Sequence, residues 1–284
     1  MKSKSFSSVY KEDKLVIFVD ISTYCNAGCP QCHRTNVTDG GLRKVDWLPL
    51  VRWTLDEFKE AYTPELVRKV AGWEICGTWG DPLMNKDMYE IAKYIIETNP
   101  YTYLTIDTNG SIRPLSWWKK LGELSQLTRP SPTGQTLWNY NHGRIRVDFA
   151  IEGINQEMHA KYRRFTDLKK VLANMKMYTD NGGNAKVFCV VHDHNKDYLQ
   201  EISDMCKAHG AETVDFTANN RFYNSTEFTF VNENYEEESL HKATGEYRSP
   251  KPVRGNQRDK ETRSEWLKKL MREVKEVGEE EDIH

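Results

Sequence analysis

Short runs of apolar and β-branched residues alternate along this chain with longer segments whose apolar residues recur at helical spacing. A short apolar run is typical of a strand buried in a sheet, and an amphipathic segment is typical of a helix packed on that sheet. The pattern predicts six strands, at residues 15–21, 73–77, 102–106, 145–151, 185–191 and 212–217. Because strands and helices alternate in series, we expect an α/β fold with a parallel sheet and right-handed crossovers, either open or curled into a partial barrel.

Local signals indicate where the helices begin. Thr54 and Glu57 have the T-x-x-E spacing of a capping box, and Pro114 suits the first position of a helix. Further helices are predicted over about 86–97, 166–178 and 196–208. A Pro-, Gly- and Asn-rich insertion at about 127–143 interrupts the alternation between the third helix and the fourth strand.

The chain becomes polar and charge-dense after about residue 222. Residues 1–222 are therefore predicted to form the core domain, and residues 223–284 a polar C-terminal extension. Apolar residues keep helical spacing between Trp266 and Val277, so we interpret the extension as a loop plus one amphipathic helix. This helix docks either on the core or on a partner, and the sequence leaves that choice open.

The charge balance argues against one broad class of partner. The 284 residues include 40 Lys and Arg and 42 Asp and Glu, for a formal net charge of −2, whereas a general nucleic-acid coat needs a positive excess. The longest apolar run near the amino terminus, residues 15–19, is far too short to span a bilayer. We therefore predict a cytoplasmic protein with no membrane partner, in a compartment that keeps its thiols reduced.

Three cysteines follow the first strand with the spacing C-x3-C-x2-C, at Cys25, Cys29 and Cys32. Thiolates at this spacing in one loop can converge on a metal centre. With His33 as a fourth ligand they would form a closed Cys3His zinc site, and the chain would be a non-catalytic binding module. With a four-iron cluster, one iron would have no protein ligand and would be open to a small molecule. The other cysteines are predicted to be buried structural residues, namely Cys76, Cys189 and Cys206.

The segment STYCNAGCPQCHR, residues 22–34, resembles the signature loop of the radical S-adenosylmethionine (SAM) enzymes. The resemblance extends over about residues 15–220, although Gln31 stands where that family commonly has an aromatic residue. It implies that Cys25, Cys29 and Cys32 hold one 4Fe-4S cluster, whose fourth iron SAM chelates. It also implies a partial (β/α)6 TIM-like barrel and an external electron donor of the flavodoxin or ferredoxin type.

Further residues at strand ends are similar to the family's SAM contacts. After the second strand, Gly80, Asp81 and Pro82 resemble the glycine-rich turn that holds the methionine ammonium, with Asp81 where Glu is more usual. After the third strand, Thr108 and Asn109 resemble a Thr-Asn-Gly segment found in many members. These two residues either bind the ligand or shape the turn.

The fourth and fifth strands are followed by similar candidates. The resemblance implies that Glu152 accepts hydrogen bonds from the ribose hydroxyls of SAM, and that Arg163 or Arg164 meets its carboxylate. His192 is a candidate cofactor contact. Asn195 either faces the cofactor as well or caps the next helix.

The resemblance implies that SAM is cleaved reductively to methionine and a 5′-deoxyadenosyl radical, which abstracts hydrogen from a substrate. Residues 219–221 are expected at the substrate mouth, and the substrate is either a nucleotide or nucleobase, or a peptide. The insertion at 127–143 and the residues just after it form either a stacking platform for a nucleotide or a lid on the core. The polar and aromatic residues concerned are Trp138, Tyr140, His142 and Arg144.

Overall fold

The computed structural model describes residues 15–128 and 145–245 of the chain, and it confirms the predicted alternation. The strands are β1 Leu15–Val19, β2 Val70–Ile75, β3 Tyr103–Thr108, β4 Ile145–Ala150, β5 Asn184–Val191, β6 Ala211–Ala218, β7 Glu227–Val231 and β8 Glu237–His241. The helices are α1 Leu55–Ala61, α2 Pro64–Lys69, α3 Met88–Thr98, α4 Leu115–Ser125, α5 Gln156–Ala160, α6 Leu168–Asp180 and α7 Leu199–Ala208.

Strands β1 to β6 form one sheet in sequential order, and every neighbouring pair is parallel. A sequential order means that each crossover moves one strand along in the same direction, so the helices cover one face and the sheet curls. Within the described strands, β1 pairs only with β2 in the sheet and β6 only with β5. The fold is therefore the predicted partial (β/α)6 barrel.

The helix signals acted as predicted at α1, where the capping box of Thr54 and Glu57 is formed in both directions. Pro114 is the residue before α4 rather than its first helical residue. The short helix α2 was not predicted, although Thr63 caps it and Pro64 begins it. Throughout residues 15–128 and 145–245, no helix combines the length and apolar character needed to cross a membrane.

The main core lies between the sheet and its helices. Ile75, Ile106, Val147 and Val187 point outward from neighbouring strands and are fully or almost fully buried under the helix layer. Side chains alternate along a strand, so the residues between them face the inside of the barrel. That inner face is the surface on which the candidate site is built.

The region after residue 222 differs from the predicted loop. Strands β7 and β8 form an antiparallel hairpin, and its Phe230 and Leu240 pack with Ala27 and Leu42 of the loop after β1 in a second apolar cluster. Tertiary packing therefore orders a segment whose charge density suggested a loop. The domain boundary at 222 stays a prediction. The predicted amphipathic helix at 266–277 lies outside the described residues, and so do residues 129–144 of the insertion segment.

Candidate functional site

The three cysteines of the C-x3-C-x2-C motif lie in the long loop after β1. All are free, with Cys29 buried and Cys25 and Cys32 half-buried. The Ala27 N–H donates to Cys25 Sγ at 3.4 Å, and Arg163 Nη1 donates to Cys29 Sγ at 3.7 Å. Each of these hydrogen bonds lowers the pKa of its sulfur and so supports the thiolate form that binds a metal, although burial acts in the opposite direction.

The surroundings of these sulfurs disfavour free thiolates. Burial, with a smaller contribution from the Asp81 carboxyl, raises the pKa of Cys25 to about 12. Burial also raises the pKa of Cys29, although Arg163 opposes the shift. A bound metal would supply the positive charge that keeps these sulfurs ionised.

The described residues contain no group of three Cys, His or carboxylate side chains placed to hold one metal ion. A single zinc ion needs sulfur ligands about 3.8 Å apart, given its bond lengths and tetrahedral geometry. A four-iron cluster is larger and spreads its cysteine ligands more widely. A measurement of bound zinc and iron would therefore distinguish the zinc site from the four-iron cluster.

A cavity of about 780 Å³ opens beside this loop at the carboxyl end of the sheet. Its volume falls in the range of small-molecule sites. The predicted site residues that line it are Cys25, Cys29, Cys32, Gly80, Asp81, Thr108, Asn109 and Arg163. The predicted site residues buried behind its wall are Pro82, Glu152 and His192. The structure thus brings most of the predicted set together around one space.

Asp81 joins the end of β2 to the end of β3. Its carboxylate accepts hydrogen bonds from Leu83 N at 2.9 Å, from the Thr108 hydroxyl at 2.9 Å, and from Asn109 N and Nδ2 at 2.8 and 2.6 Å. Its own N–H donates to the carbonyl of Tyr24 in the cysteine loop at 2.7 Å. Both carboxylate oxygens therefore already accept hydrogen bonds from the protein.

Gly80 lies directly against the cysteine loop. A Cβ atom at this position would lie 2.3 Å from the carbonyl oxygen of Ser22 and 2.7 Å from that of Tyr24. Both obstacles are backbone atoms, so a side chain here would displace the loop. Glycine is therefore required for the turn after β2 to approach the cysteines.

Arg163 and Arg164 have different partners. Arg163 Nε and Nη2 donate to the two carboxylate oxygens of Glu152 at 2.7 and 2.8 Å. Arg164 instead pairs with Glu233 and Glu238 of the hairpin. Of the two candidates, Arg163 is the one that lines the cavity.

The arrangement of strand ends around the cysteine loop agrees with a family match. The model of the Radical SAM superfamily matches residues 19–206, which is more than half of the chain and includes all three cysteines. The chain belongs to the radical SAM superfamily. No curated protein matches the sequence.

Solved structures show the same fold for this radical SAM domain. SuiB of Streptococcus suis, bound to the precursor peptide SuiA, has a TM-score of 0.52 at 13% identity, covering 72% of this chain and 39% of SuiB. The enzyme anSMEcpe with bound AdoMet has a TM-score of 0.51 at 17% identity, covering 71% and 50%. A second SuiB structure has a TM-score of 0.50 at 13% identity, covering 92% and 47%. The chain therefore matches half or less of the length of these neighbours.

Two residues that the superfamily resemblance placed at the cofactor, Glu152 and His192, are buried and do not line the cavity. Glu152 is fully buried, and its carboxylate is bound by Arg163. Burial lowers the pKa of His192 to about 3. Its Nδ1 lies 3.2 Å from the Val190 carbonyl, and its Nε2 lies 2.8 Å from Asn219 Nδ2, a contact that needs the neutral ring to accept. The structure brings neither side chain into the cavity, because the protein already uses their polar atoms.

Asn195 was expected either to face the cofactor or to cap the next helix, and its side chain does something else. Its Nδ2 donates to the carbonyls of Glu152 and Val190 at 3.1 and 3.0 Å, and its Oδ1 accepts from His192 N at 2.8 Å. It makes no side-chain cap to the following turn. Asn195 therefore links the ends of β4 and β5. Residues 219–221, which were expected at the substrate mouth, line the cavity.

The inner face of the radical SAM barrel adds residues that the sequence did not single out. These residues line the cavity from β2, β3 and β4 and from the position directly after β2: Glu74, Asp107, Arg146, Asp148 and Cys76. Cys76 was predicted to be buried, but it is half-buried and faces the cavity because it follows β2 on the inward side. Cys189 and Cys206 are fully buried, as predicted.

Asp107 lines the cavity close to two other carboxyl groups. Desolvation, followed by the nearby Asp148 and Glu74 carboxyls, raises its pKa to about 7. Its side chain still reaches the water of the open cavity, so this shift is smaller than a fully buried carboxyl would show.

Proposed function

We propose that this chain is a radical SAM enzyme in which Cys25, Cys29 and Cys32 ligate a single 4Fe-4S cluster with one iron open to SAM. One observation carries the proposal: the three thiols share a single cavity with the polar ends of β2 and β3. Three thiolates from a loop supply one ligand fewer than such a cluster has irons. The donor set therefore fits a cluster whose remaining iron binds a small molecule.

When bound, the cluster and SAM together supply the reductive cleavage that yields methionine and a 5′-deoxyadenosyl radical. The chain's own residues hold and orient the site. Among the predicted contacts, Gly80, Thr108, Asn109 and Arg163 line the cavity and are retained as candidate SAM contacts. Asp81 acts as a positioning residue, because its bonds to Thr108 and Asn109 fix the side of the cavity facing the cysteines.

Three of the predicted site residues support the residues that line the cavity and do not line it themselves: Pro82, Glu152 and His192. Pro82 begins the single helical turn that Asp81 caps. Glu152 holds Arg163 in place, and His192 holds Asn219 at the cavity mouth. In each case a buried polar contact fixes a residue that lines the cavity.

The proposed partners follow from this chemistry. An external one-electron donor of the flavodoxin or ferredoxin type would reduce the cluster. Of the two substrate classes, we favour a peptide, supported by the fold shared with SuiB, which was solved with a precursor peptide. A cytoplasmic location is consistent with six free cysteines.

The test is anaerobic reconstitution of the full chain with iron and sulfide, followed by reduction with SAM present. We expect about four irons per chain and release of 5′-deoxyadenosine. Replacing Cys25, Cys29 or Cys32 by Ala should abolish both. Cys76→Ala is the matched control, because Cys76 lines the same cavity outside the motif and should retain the iron.

His33 distinguishes the zinc alternative. It is exposed beside Cys32 and lines the cavity. A Cys3His site would hold about one zinc per chain and lose it in His33→Ala, whereas the cluster should be retained in this variant. Stoichiometric zinc with no iron uptake would refute the enzyme and support the binding module.

A further inference from the structure

The charged residues of the cavity are divided between two regions. Beside the cysteine loop, Arg34 donates to the carbonyl of Thr23 and Arg221 to that of Gln31. Deeper in the barrel, β2, β3 and β4 contribute the carboxyl groups of Glu74, Asp107 and Asp148 to the lining, and we call this region the floor of the cavity. The cavity is therefore cationic beside the cysteines and acidic on its inner floor.

Most of the acidic floor is already neutralised or bonded. Arg146 pairs with Asp148 at 2.8 Å, and the charge of the same guanidinium also favours the ionised form of Glu74. Asp107 differs, because no donor among the described residues is bonded to its carboxyl group. Among the carboxyl groups of the floor in the described residues, Asp107 is therefore the one available to pair with a ligand.

A second acceptor on the same floor is incompletely satisfied. Asp148 is 5% exposed and lines the cavity. Its Oδ1 is ion-paired with Arg146 but receives no well-directed hydrogen bond within residues 15–128 and 145–245. A buried carboxylate oxygen without a directed donor is costly, so a ligand that brings donors to this floor would be stabilised.

The chemistry that satisfies both groups is a cation with several N–H donors. An ammonium or guanidinium group would pair with Asp107 and relieve its repulsion by Glu74 and Asp148. A phosphate or carboxylate at this depth would face the same carboxyl groups and be repelled. The floor therefore discriminates by charge.

We propose that Asp107 is a specificity-determining residue that receives a cationic group of the substrate, either an amine or a guanidinium. This inference rests on the proposed function and adds the substrate's charge to it. A basic side chain of a peptide and a free polyamine present the same chemistry. The experiment below separates these two sources.

The test measures binding of defined probes to the reconstituted full chain by calorimetry under anaerobic conditions. The probes are agmatine, N-acetyl-Gly-Lys-Gly-amide, the same peptide with norleucine or Glu in place of Lys, and adenosine monophosphate. We expect the lysine peptide to bind at least tenfold more tightly than the norleucine peptide. If agmatine alone binds, the source is a free amine and the proposal for Asp107 stands.

Asp107→Asn removes the charge with little change in shape and should abolish the preference for lysine over norleucine. Glu212→Gln is the matched control, since Glu212 is an exposed carboxylate on β6 outside the cavity lining. Tighter binding of the glutamate peptide or of adenosine monophosphate would overturn the proposal. An unchanged preference for lysine in Asp107→Asn would also overturn it.

The preference for the lysine peptide over the norleucine peptide should depend on pH. Ionisation of Asp107 through about pH 7 predicts a preference about tenfold larger at pH 8 than at pH 6, and no such change in Asp107→Asn. The titratable and charged groups that face Asp107 from the surrounding elements are Glu74, Cys76, Asp81, Arg146 and Asp148. Of these, Cys76 stays neutral in this range because its pKa is raised to about 12.

Failure of this inference can be told apart from failure of the proposed function. Iron content and 5′-deoxyadenosine release are measured on the same wild-type and Glu212→Gln samples. If both are absent, the proposed function fails. If both are present and no probe shows a charge preference, only the assignment of Asp107 fails.

Discussion

Arg163 holds Glu152 through two parallel hydrogen bonds of 2.7 and 2.8 Å, and the carboxylate is completely buried. The third guanidinium nitrogen, Nη1, faces Cys29 Sγ at 3.7 Å. Glu152 follows β4, whereas Cys29 belongs to the loop after β1. This single side chain therefore connects the sheet to the predicted metal ligands.

Arg163→Met should destabilise the protein strongly. The substitution leaves Glu152 as a buried carboxylate with no counter-charge, which costs about 3–5 kcal/mol in comparable cases. Urea unfolding of the apoprotein measures this loss. Combining Arg163→Met with Glu152→Gln should recover part of it, because the uncompensated charge is then absent. If Arg163→Met alone had the stability of wild type, the pair would contribute nothing to the fold.

Gly80→Ala should disturb the cysteine loop while leaving the barrel folded. The added methyl group would overlap the carbonyl oxygens of Ser22 and Tyr24, and overpacking of this kind costs about 1–3 kcal/mol. We expect loss of most bound iron after reconstitution, with an unchanged far-ultraviolet circular dichroism spectrum. Thr78→Ala is the matched control, since it removes atoms from an exposed residue of the same turn. Full iron content in Gly80→Ala would show that the close contact is not needed.

The parallel sheet could be predicted because its strands are buried on the helix side and carry dense apolar residues. The run at 145–151, for example, became β4 Ile145–Ala150. The capping box at Thr54 was equally readable, because it depends on two residues three positions apart. Signals that are local in sequence were therefore sufficient for the architecture.

The hairpin and the inner face of the barrel were not predicted, for different reasons. The hairpin is ordered by packing of Phe230 and Leu240 on the cysteine loop, a contact with residues about 200 positions away. On the inner face, Glu74 and Cys76 alternate with Trp73 and Ile75. That period of two is visible in the sequence, but five residues are too few to separate a two-sided strand from a short apolar run. Which carboxylates are already paired depends on tertiary geometry alone.

His159 should make stability depend on pH in a defined direction. Burial, with a smaller contribution from Arg163, lowers its pKa to about 3. The neutral ring accepts from Glu152 N through Nδ1 at 3.2 Å, and its Nε2 lies 3.0 Å from the Thr166 hydroxyl. The unfolded chain binds the proton near pH 6.5 and the native ring does not. The stabilisation is therefore complete above pH 6.5 and is lost as the pH falls toward 3.

The measurement compares wild type with His159→Gln in urea unfolding at pH 6.5 and pH 4.5. The free energy of unfolding of wild type should fall by about 2 kcal/mol more than that of the variant over this range. His241→Gln, at an exposed position on β8, serves as the control and should follow wild type. Parallel pH profiles for wild type and His159→Gln would contradict the neutral, buried ring.

Arg164→Gln should loosen the β7–β8 hairpin without unfolding the sheet. The Arg164 side chain is 12% exposed and pairs with Glu233 and Glu238, which are 31% and 38% exposed. Because both carboxylates are partly solvated, we expect a loss of about 1 kcal/mol. Amide hydrogen exchange in residues 227–241 should then accelerate severalfold, while β2 to β5 keep their protection.

The control for this variant is Lys176→Gln, which removes a surface pair with Asp180 within α6 and should change exchange in neither region. The backbone carbonyl of Arg164 still accepts from Gly28 N at 3.1 Å in Arg164→Gln, so the cysteine loop keeps this anchor and reconstituted iron content should remain close to wild type. Unchanged exchange at 227–241 would mean that the apolar contacts of Phe230 and Leu240 hold the hairpin without the ion pairs. Loss of protection throughout the sheet would instead assign Arg164 to the stability of the whole domain.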